Sequence, residues 1–295
     1  MKQIDPKQRT ALPRFRALTS LNQVCYQTLL PVFNRHVVAY LAVYTLKGKL
    51  RLLPSFKEAA NSSLYGSVSK LEFMLLYLKE NPPQSYHGCL FELSQAKVSE
   101  WFKLLLPLLA SSLKEMNLLP PGGNVFNFAS TQEVEYLAGD VVERSVPRST
   151  CGHTQKEEYS GKKKQHTNKN FAIAAPNGQV LFLSETYEGS VHDKAIWNEI
   201  EFDIEEHTVL LDSGFEGAEQ QCQTVVTPFK KPKGKELSDS KKAVNTGISK
   251  KRAIIENVFE MIKRLRIKGF DKRNLIMKIA TGIHNLRIKN KTPSK

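Results

Sequence analysis

The stretch Arg252-Ala-Ile-Ile-Glu256-Asn-Val-Phe-Glu-Met-Ile-Lys263 has the spacing of a helix with two different faces. On a helix that turns about 100° per residue, Arg252, Glu256 and Lys263 fall within an arc of roughly 40°. A separate arc that can pack on a core holds the apolar positions, namely Ile255, Val258, Ile262 and Leu265. The pattern predicts a carboxylate flanked by two cations on a polar face, on a helix anchored by its apolar face.

Two aspartates upstream close apolar, strand-like runs. Asp140 stands in Tyr-Leu-Ala-Gly-Asp-Val-Val and Asp212 in Thr-Val-Leu-Leu-Asp-Ser-Gly-Phe. Converging carboxylates take up protons unless a cation is present, and Mg²⁺ prefers oxygen ligands and accepts phosphate oxygens. With Glu256 on a helix, the two aspartates give a layout that can hold two metal ions for phosphodiester chemistry. The residues alone leave an alternative open, in which the aspartates only end strands and Glu256 pairs with Arg252.

Positive charge is concentrated near the end of this 295-residue chain, whose net charge is +14. Residues 228–295 hold 20 of the 43 Lys and Arg but only 5 of the 29 Asp and Glu. Such a concentration favours a polyanionic partner, nucleic acid first. Two basic, turn-rich loops could hold a phosphate backbone, one with Lys162, Lys163 and Lys164 and the other with Lys230 and Lys231. The alternative for each loop is a solvated tip.

The first third of the chain predicts helices. Apolar spacing indicates helix over 18–44, a capping box of Ser69 and Glu72 predicts a helix over 69–80, and a short helix over 84–92 follows. Ser94 then caps a third helix, which Pro107 kinks or ends. That helix has a polar face with Gln95, Ser99 and Lys103, as the reading helix of a helix-turn-helix needs. Three ordinary packed helices would give the same periodicity.

From about residue 134 the pattern changes to strands. Strand-like runs occur at 134–142, 169–175, 179–186, 208–212 and 224–228, with helices over about 249–268 and 272–289. This order predicts a layered α/β or α+β domain. In Gly189-Ser-Val-His192-Asp193, the spacing of Ser190 and Asp193 favours a capping box at a helix start over a catalytic pair. We therefore divide the chain into a helical domain (1–113, helix-turn-helix about 69–109), a linker (114–133) and a catalytic domain (134–295).

Other classes of protein find no support in the sequence. The four cysteines are widely spaced, which fits reduced thiols in a cytoplasmic protein better than disulfides or a zinc site. The longest apolar stretch is too short to cross a membrane, and no signal peptide is visible. Phosphate-binding P-loop, hydrolase elbow, zinc-protease and dinucleotide motifs are all missing from the sequence.

Taken in order, the motifs resemble those of a bacterial insertion-sequence transposase of the DDE type, in the branch related to Harbinger-type elements. The matching segments are Asp140-Val-Val-Glu-Arg144, Tyr159–Thr167, Gly189–Asp193, Leu211-Asp-Ser-Gly-Phe-Glu-Gly217, Arg252–Lys263 and His284-Asn-Leu-Arg287, with Leu18–Leu21 and Leu71–Leu109 in the helical part. The family usually has a small residue and Thr where this chain has Val141 and Val142, and Lys and Tyr where it has Ser213 and Phe215. None of these departures removes a ligand.

The resemblance implies an α/β, RNase H-like catalytic domain, a mixed sheet flanked by helices, preceded by an all-α helix-turn-helix domain. It assigns Asp140, Asp212 and Glu256 as catalytic metal ligands for two Mg²⁺ ions, with Mn²⁺ as a substitute, and Arg252 and Lys263 as DNA contacts. The expected partners are the terminal inverted repeats of a mobile element and its target DNA, bound by a homodimer in the bacterial cytoplasm. The alternatives are an inactive or domesticated DNA-binding copy and, less favoured, a nuclease of RNA or hybrids.

Overall fold

The structure, a computed structural model, describes residues 13–54, 57–127, 134–203, 207–220, 222–234, 236–265 and 272–291. These residues divide into two compact units, one within 1–119 and 264–295 and the other within 120–263. We call the first the helical unit and the second the sheet unit. The chain therefore returns to its first unit at its end, whereas the boundaries expected from the sequence placed everything after residue 134 in one domain.

The helical unit begins with α1 (Pro13–Thr19), α2 (Gln23–Val43), α3 (Gly66–Glu80), α4 (Gln84–Phe91) and α5 (Gln95–Glu115). The predicted cap of α5 is confirmed, since the Ser94 hydroxyl accepts a hydrogen bond of 3.3 Å from the backbone N–H of Lys97. Pro107 does not end this helix, which continues through it to Glu115. Its apolar face is buried, so packing holds the helix together across the hydrogen bond that proline lacks.

The predicted capping box at Ser69 and Glu72 is wrong, because α3 begins three residues earlier. Its first residue, Gly66, has a φ of 75° and donates its N–H to a Glu58 carboxylate oxygen over 2.8 Å. Glu58, which comes from the preceding loop, therefore accepts a hydrogen bond from a free N–H at the start of the helix and replaces a local cap. Ser69 instead donates its hydroxyl to the Tyr65 carbonyl.

The tight turn between α4 and α5 depends on a glycine. A Cβ at Gly88 would lie 2.3 Å from the carbonyl oxygen of Leu93, so only glycine allows this close approach of the backbone. His87, next to it, is fully buried among the rings of Phe73 and Tyr77. Burial lowers the pKa of His87 to about 4, so the imidazole is neutral in the folded protein. The three predicted helices, which correspond to α3, α4 and α5, therefore form a closely packed unit.

The sheet unit is built from nine strands and three helices among the described residues. They are β1 (Val125–Asn127), β2 (Leu137–Ser145), α6 (Gly152–Glu158), β3 (Tyr159–Ser160), β4 (Gln165–Ala174), β5 (Val180–Leu183), β6 (Tyr187–Glu188), α7 (Asp193–Asn198), β7 (Glu201–Asp203), β8 (Val209–Leu210), β9 (Val225–Val226) and α8 (Asp239–Lys263). Short 3₁₀ turns lie at Ser213–Phe215 and Ala218–Gln220. The segments at 134–142, 169–175, 179–186, 208–212 and 224–228 were all predicted as strands, and an observed strand overlaps each of them.

The main sheet is mixed, with β2 in its middle. The long strand β4 pairs antiparallel with β2 and also with β3, β5 and β6, while β8 pairs parallel with β2 and β9 pairs parallel with β8. A separate two-stranded sheet joins β1 and β7 in parallel. Helix α8 packs on β2 and also contacts β4 and β8. A mixed sheet covered by helices is the RNase H-like architecture that the resemblance implied, and that prediction is confirmed.

An aromatic core fixes β4 against α7. Trp197 of α7 is fully buried, stacks on Phe202 with ring centroids 4.0 Å apart and meets Phe171 of β4 edge-on at 5.5 Å. Gly139 in β2 allows this packing, because a Cβ there would lie 2.9 Å from the Phe171 ring and 2.7 Å from Leu211. The core therefore sets the position of β2 relative to the segment that follows β8.

The last helix, α9 (Arg273–Lys289), belongs to the helical unit. It packs against α5, and the side-chain amide of Asn285 donates a 3.0 Å hydrogen bond to the Leu118 carbonyl. A Cβ at Gly282 would lie 2.7 Å from Leu119, so this face of the helix fits closely. None of the described helices is both long enough and apolar enough to cross a bilayer.

The buried ion pair between Lys70 and Glu58 gives a first testable prediction. Lys70, whose side chain is 2% exposed, also donates to the Leu64 carbonyl over 2.6 Å, and burial lowers its pKa. Glu58→Ala would leave this ammonium buried and unpaired, so we expect the free energy of unfolding to fall by about 3 kcal/mol. Urea denaturation measures the change.

The double variant Glu58→Ala with Lys70→Met serves as the control. It removes the buried charge together with its partner, so most of the lost stability should return. An equal loss in the single and the double variants would show that the ion pair is not the cause.

Candidate functional site

Asp140 lies in the middle of the central strand rather than at its end. It is the fourth of nine residues in β2 and stands opposite Ala172 of β4, which corrects the expectation that it closes a strand. Its carboxylate accepts a 2.7 Å hydrogen bond from the N–H of Val141 and a 3.0 Å hydrogen bond from the guanidinium of Arg252. The aspartate is thus held by its own strand and by the helix α8 that packs on it.

Burial dominates the electrostatics of Asp140. Its side chain is only 22% exposed, and burial raises its pKa to about 6. The Arg252 guanidinium opposes this shift, while the negative charges of Asp212 and Asp193 add to it. A carboxylate whose pKa is raised by burial and by two other acids favours a cation beside it. The chemistry of these oxygen donors therefore fits a divalent metal ion.

Asp212 lies two residues beyond the end of β8, so it follows a strand as predicted. Its carboxylate accepts a hydrogen bond from the N–H of Gly214 and caps the 3₁₀ turn Ser213–Phe215. Phe215 of that turn is buried in the aromatic core. Turn and core together hold Asp212 where its charge acts on Asp140.

Asp193 is an acid of this site that the sequence reasoning missed. The predicted capping box with Ser190 is wrong, because α7 begins at Asp193 and its cap is His192, whose ring nitrogen accepts from the Lys194 N–H over 3.3 Å. Asp193 instead forms a 2.9 Å ion pair with Lys169, a β4 residue whose side chain is 9% exposed. A lysine inside an apolar strand was the signal that could have pointed to a buried carboxylate partner.

Glu256 lies on the exposed surface of α8, one turn after Arg252. Arg252 itself turns inward to Asp140 with a side chain that is 10% exposed, so the two do not share an exposed polar face and Glu256 is not its partner. Within the part of the chain that the structure describes, no three acidic, histidine or cysteine side chains are grouped closely enough to share a metal ion. The structure thus brings Asp140 and Asp212 together, and the role of Glu256 stays a prediction.

Within the sheet unit, the predicted basic contacts occupy exposed positions, except for Arg252, which is buried. Lys162, Lys163 and Lys164 form the turn between β3 and β4, and Lys263 ends α8. Lys230 pairs with Glu216 at 2.8 Å, and Lys231 pairs with Glu236 at 2.5 Å. Surface ion pairs of this kind are weak, so both lysines can exchange a carboxylate for a phosphate. Their contact with DNA stays a prediction.

The predicted reading face of α5 is largely open. Gln95 and Lys103 are exposed and Ser99 is partly exposed, while the opposite side of the helix is buried. The Gln95 amide donates a 2.7 Å hydrogen bond to Gln84 at the start of α4, which fixes its orientation. These three side chains are placed as a recognition helix requires, and their contact with bases stays a prediction.

Comparison with known proteins adds an independent line of evidence. Residues 140–285 match the family described as DDE superfamily endonuclease, and residues 66–115 match the helix-turn-helix of DDE superfamily endonuclease. The chain is also similar to a probable transposase for the insertion sequence element IS702 of Microchaete diplosiphon, with 26% identity over 73% of this chain and 78% of that protein. No solved structure matches it significantly. The first family match begins at Asp140 itself.

The Asp140–Arg252 ion pair predicts a measurable pKa change. Arg252→Gln removes the cation that lowers the pKa of Asp140, so this pKa should rise above about 6 and a larger fraction of the carboxyl group should be protonated at pH 7. Carbon-13 NMR of the labelled aspartate carboxyls in metal-free buffer measures it, with Asp140→Asn identifying the signal.

Lys251→Gln is the matched control for this measurement. It removes the same charge from the neighbouring position of α8, where the lysine is exposed and pairs with Glu135. The Asp140 signal should titrate as in the unchanged chain. The same pKa of Asp140 in the chain and in Arg252→Gln would show that the guanidinium does not govern this carboxyl.

Proposed function

Because the chain belongs to the DDE superfamily endonucleases, we propose that it is a DNA transposase that binds the ends of a mobile element and cuts and joins DNA strands there. The observation that carries the proposal is a pair of aspartates, one on the central strand β2 and one just beyond the neighbouring strand β8. Asp140 lies on β2 and Asp212 follows β8, yet their charges act on each other. A transposase needs acidic ligands for a metal at a site that a DNA backbone can reach.

Divalent metal ions fit the residues of this site. Asp140 and Asp212 would hold them, with Glu256 as the third ligand, and Mg²⁺ or Mn²⁺ would suit these oxygen donors. Two such ions bound here would activate a water molecule and stabilise the leaving oxygen of the scissile phosphate. Arg252, one turn before Glu256, supplies a positive charge at Asp140.

The other polar residues of the site orient the reacting groups. Release of Asp140 by Arg252 would free the guanidinium, whose five donors suit a phosphate group. Lys162, Lys163 and Lys164 on one loop and Lys230, Lys231 and Lys263 elsewhere in the unit would hold the DNA backbone. The first cut would leave a 3′-hydroxyl at the element end, and the same carboxylates would then position that hydroxyl for attack on target DNA.

The helical unit would supply sequence recognition. Helix α5 would place Gln95, Ser99 and Lys103 in the major groove of the terminal inverted repeats, with α4 and the tight turn at Gly88 setting its angle. Two element ends must be joined, so we expect two copies of the chain on DNA. Such a protein would work in the bacterial cytoplasm, bound to the nucleoid.

The inactive alternative gains no support from the two valines that depart from the family pattern. Val141 contributes its backbone N–H to Asp140, which any residue other than proline would do. Val142 is fully buried in the sheet. Neither departure removes a functional group from the site.

Substitution of the three predicted ligands tests the proposed chemistry. Asp140→Asn, Asp212→Asn and Glu256→Gln should each reduce Mg²⁺-dependent cleavage of duplex DNA carrying the element ends by at least about 100-fold, because even residues that only support a metal ligand contribute 10- to 100-fold. Gel electrophoresis of end-labelled DNA measures the nicking and the strand transfer.

Two acids on the same helix serve as controls for that assay. Glu260 lies one turn beyond Glu256 and is also exposed, so Glu260→Gln is one control, and Asp239→Asn at the start of α8 is the other. Both should retain activity. Full cleavage by Glu256→Gln would remove that residue from the ligand set, and full cleavage by Asp140→Asn or Asp212→Asn would overturn the mechanism. Cleavage of an RNA–DNA hybrid in preference to duplex DNA would instead indicate a nuclease of RNA or hybrids.

A separate prediction concerns the recognition helix. Gln95→Ala should reduce the preference for element-end DNA over scrambled duplex, since a side chain that reads a base contributes about 1–3 kcal/mol. Lys103→Gln should weaken binding to both DNAs and lower the salt dependence of the binding constant by about one unit. Fluorescence anisotropy over a range of salt concentrations measures both effects.

Lys114→Gln, at the far end of α5, is the matched control. It removes the same charge outside the proposed reading face and should leave end-DNA binding unchanged. If Gln95→Ala and Lys103→Gln also bind end DNA as the unchanged chain does, α5 is not the recognition helix.

A further inference from the structure

The helical unit contains a basic pocket that the proposed nuclease site does not use. The pocket has a volume of about 330 Å³ and is lined by Arg16, Ala17, Ser20, Lys79, Arg264 and Arg287. These residues come from α1, the turn after it, α3, the segment after α8 and α9, all within one compact unit. Four of the six are cations, and no carboxylate is among them.

The cations are close enough to repel one another. Burial lowers the pKa of the Arg287 guanidinium, and the positive charges of Arg16 and Arg264 lower it further. Like charges held together inside a fold raise its free energy unless an anion compensates them. Lys79 donates its ammonium to the Arg264 carbonyl over 3.1 Å, so the cluster is tied into the fold. The pocket therefore presents several neighbouring cations to one bound anion.

A buried hydroxyl at the same pocket points to a ligand. Ser20 is 8% exposed, and its hydroxyl has no hydrogen-bond partner among the described residues. Buried hydroxyl groups are nearly always paired, so an unpaired one at a pocket wall indicates a missing acceptor. Ser20 also has a φ of 63°, held by a 2.9 Å hydrogen bond from its N–H to the Arg16 carbonyl. The turn after α1 thus fixes the serine at the pocket.

We propose that this pocket binds a phosphate group. Arg16, Arg264, Arg287 and Lys79 would neutralise its charge, and Ser20 would donate its hydroxyl to one of its oxygens. Arginine suits this role because its planar group donates two parallel hydrogen bonds to a phosphate. The phosphate group comes either from a DNA backbone or from free inorganic phosphate. The inference does not rest on the proposed nuclease chemistry, because its residues are separate from Asp140, Asp212 and Glu256.

Titration calorimetry of the full chain with inorganic phosphate, against chloride at equal ionic strength, tests the pocket. We expect saturable binding that Arg16→Gln and Arg287→Gln each weaken about tenfold or more, since each removes a charged hydrogen-bond donor. Ser20→Ala keeps every charge and should still weaken binding about tenfold. The control Lys49→Gln removes an exposed charge of the same unit outside the pocket and should bind as the unchanged chain does.

A second arm uses non-specific duplex DNA and identifies the source of the phosphate group. If the pocket holds a backbone phosphate, Arg287→Gln lowers the salt dependence of DNA binding by about one unit and Lys49→Gln does not. If that slope is unchanged while phosphate binding is lost, the ligand is free phosphate. Circular dichroism confirms that each variant is folded, and Arg16→Gln replaces Arg287→Gln if the latter unfolds. Phosphate binding and salt slopes that are the same in every folded variant overturn the proposal.

Discussion

The ion pair between Asp140 and Arg252 is the contact on which the sheet unit depends. It joins the central strand to the helix that packs on it, and it places a positive charge against a carboxylate that burial would otherwise protonate. Removing one partner of such a pair leaves the other charge buried and uncompensated, which costs several kcal/mol. The same contact therefore sets both the position of α8 on the sheet and the charge state of the first acid of the site.

The surroundings of this pair hold more negative than positive charge. Arg252 faces Asp140, Lys169 faces Asp193, and Asp212 has a backbone N–H as its partner. In these contacts Asp212 is the acid that is not paired with a cation. The three acids together can therefore bind a positively charged ligand. Lys169 also donates to the Val191 carbonyl over 2.7 Å, so Asp193 is fixed and can act on Asp140 only through its charge.

Most of the fold could be predicted from the sequence because its signals are local. The apolar runs that became β2, β4 and β8, and the Ser94 cap of α5, depend on neighbouring residues. The errors occurred where a distant residue decided the outcome. Gly66 starts α3 because Glu58 reaches its N–H, and the Asp193 carboxylate is bound by Lys169 of β4 instead of taking part in a capping box.

In the candidate site, too, local signals gave correct predictions and long-range contacts did not. Asp140 and Asp212 were identified because each stands out as an acid in an apolar strand, whereas the helical wheel alone placed Arg252 with Glu256 on a polar face. Periodicity fixes the direction of a side chain only to within a wide arc, and the long, flexible arginine side chain at the edge of that arc can turn toward a buried carboxylate. A helical wheel contains no information about packing on β2, and it is this packing that brings the Arg252 side chain to Asp140.

The excess positive charge of the last quarter of the chain is divided between the two units. Lys230, Lys231, Arg252 and Lys263 belong to the sheet unit, while Arg264 and Arg287 meet Arg16 in the helical unit. A cluster built from both ends of the chain can form only after α9 has packed against α5, because Arg287 lies on α9. The basic pocket therefore requires the folded helical unit, whereas the exposed lysines of the β3–β4 turn are available on the surface of the sheet unit. The basic residues that are concentrated in the last quarter of the sequence thus contribute to separate basic surfaces, and each of these surfaces can contact a DNA backbone.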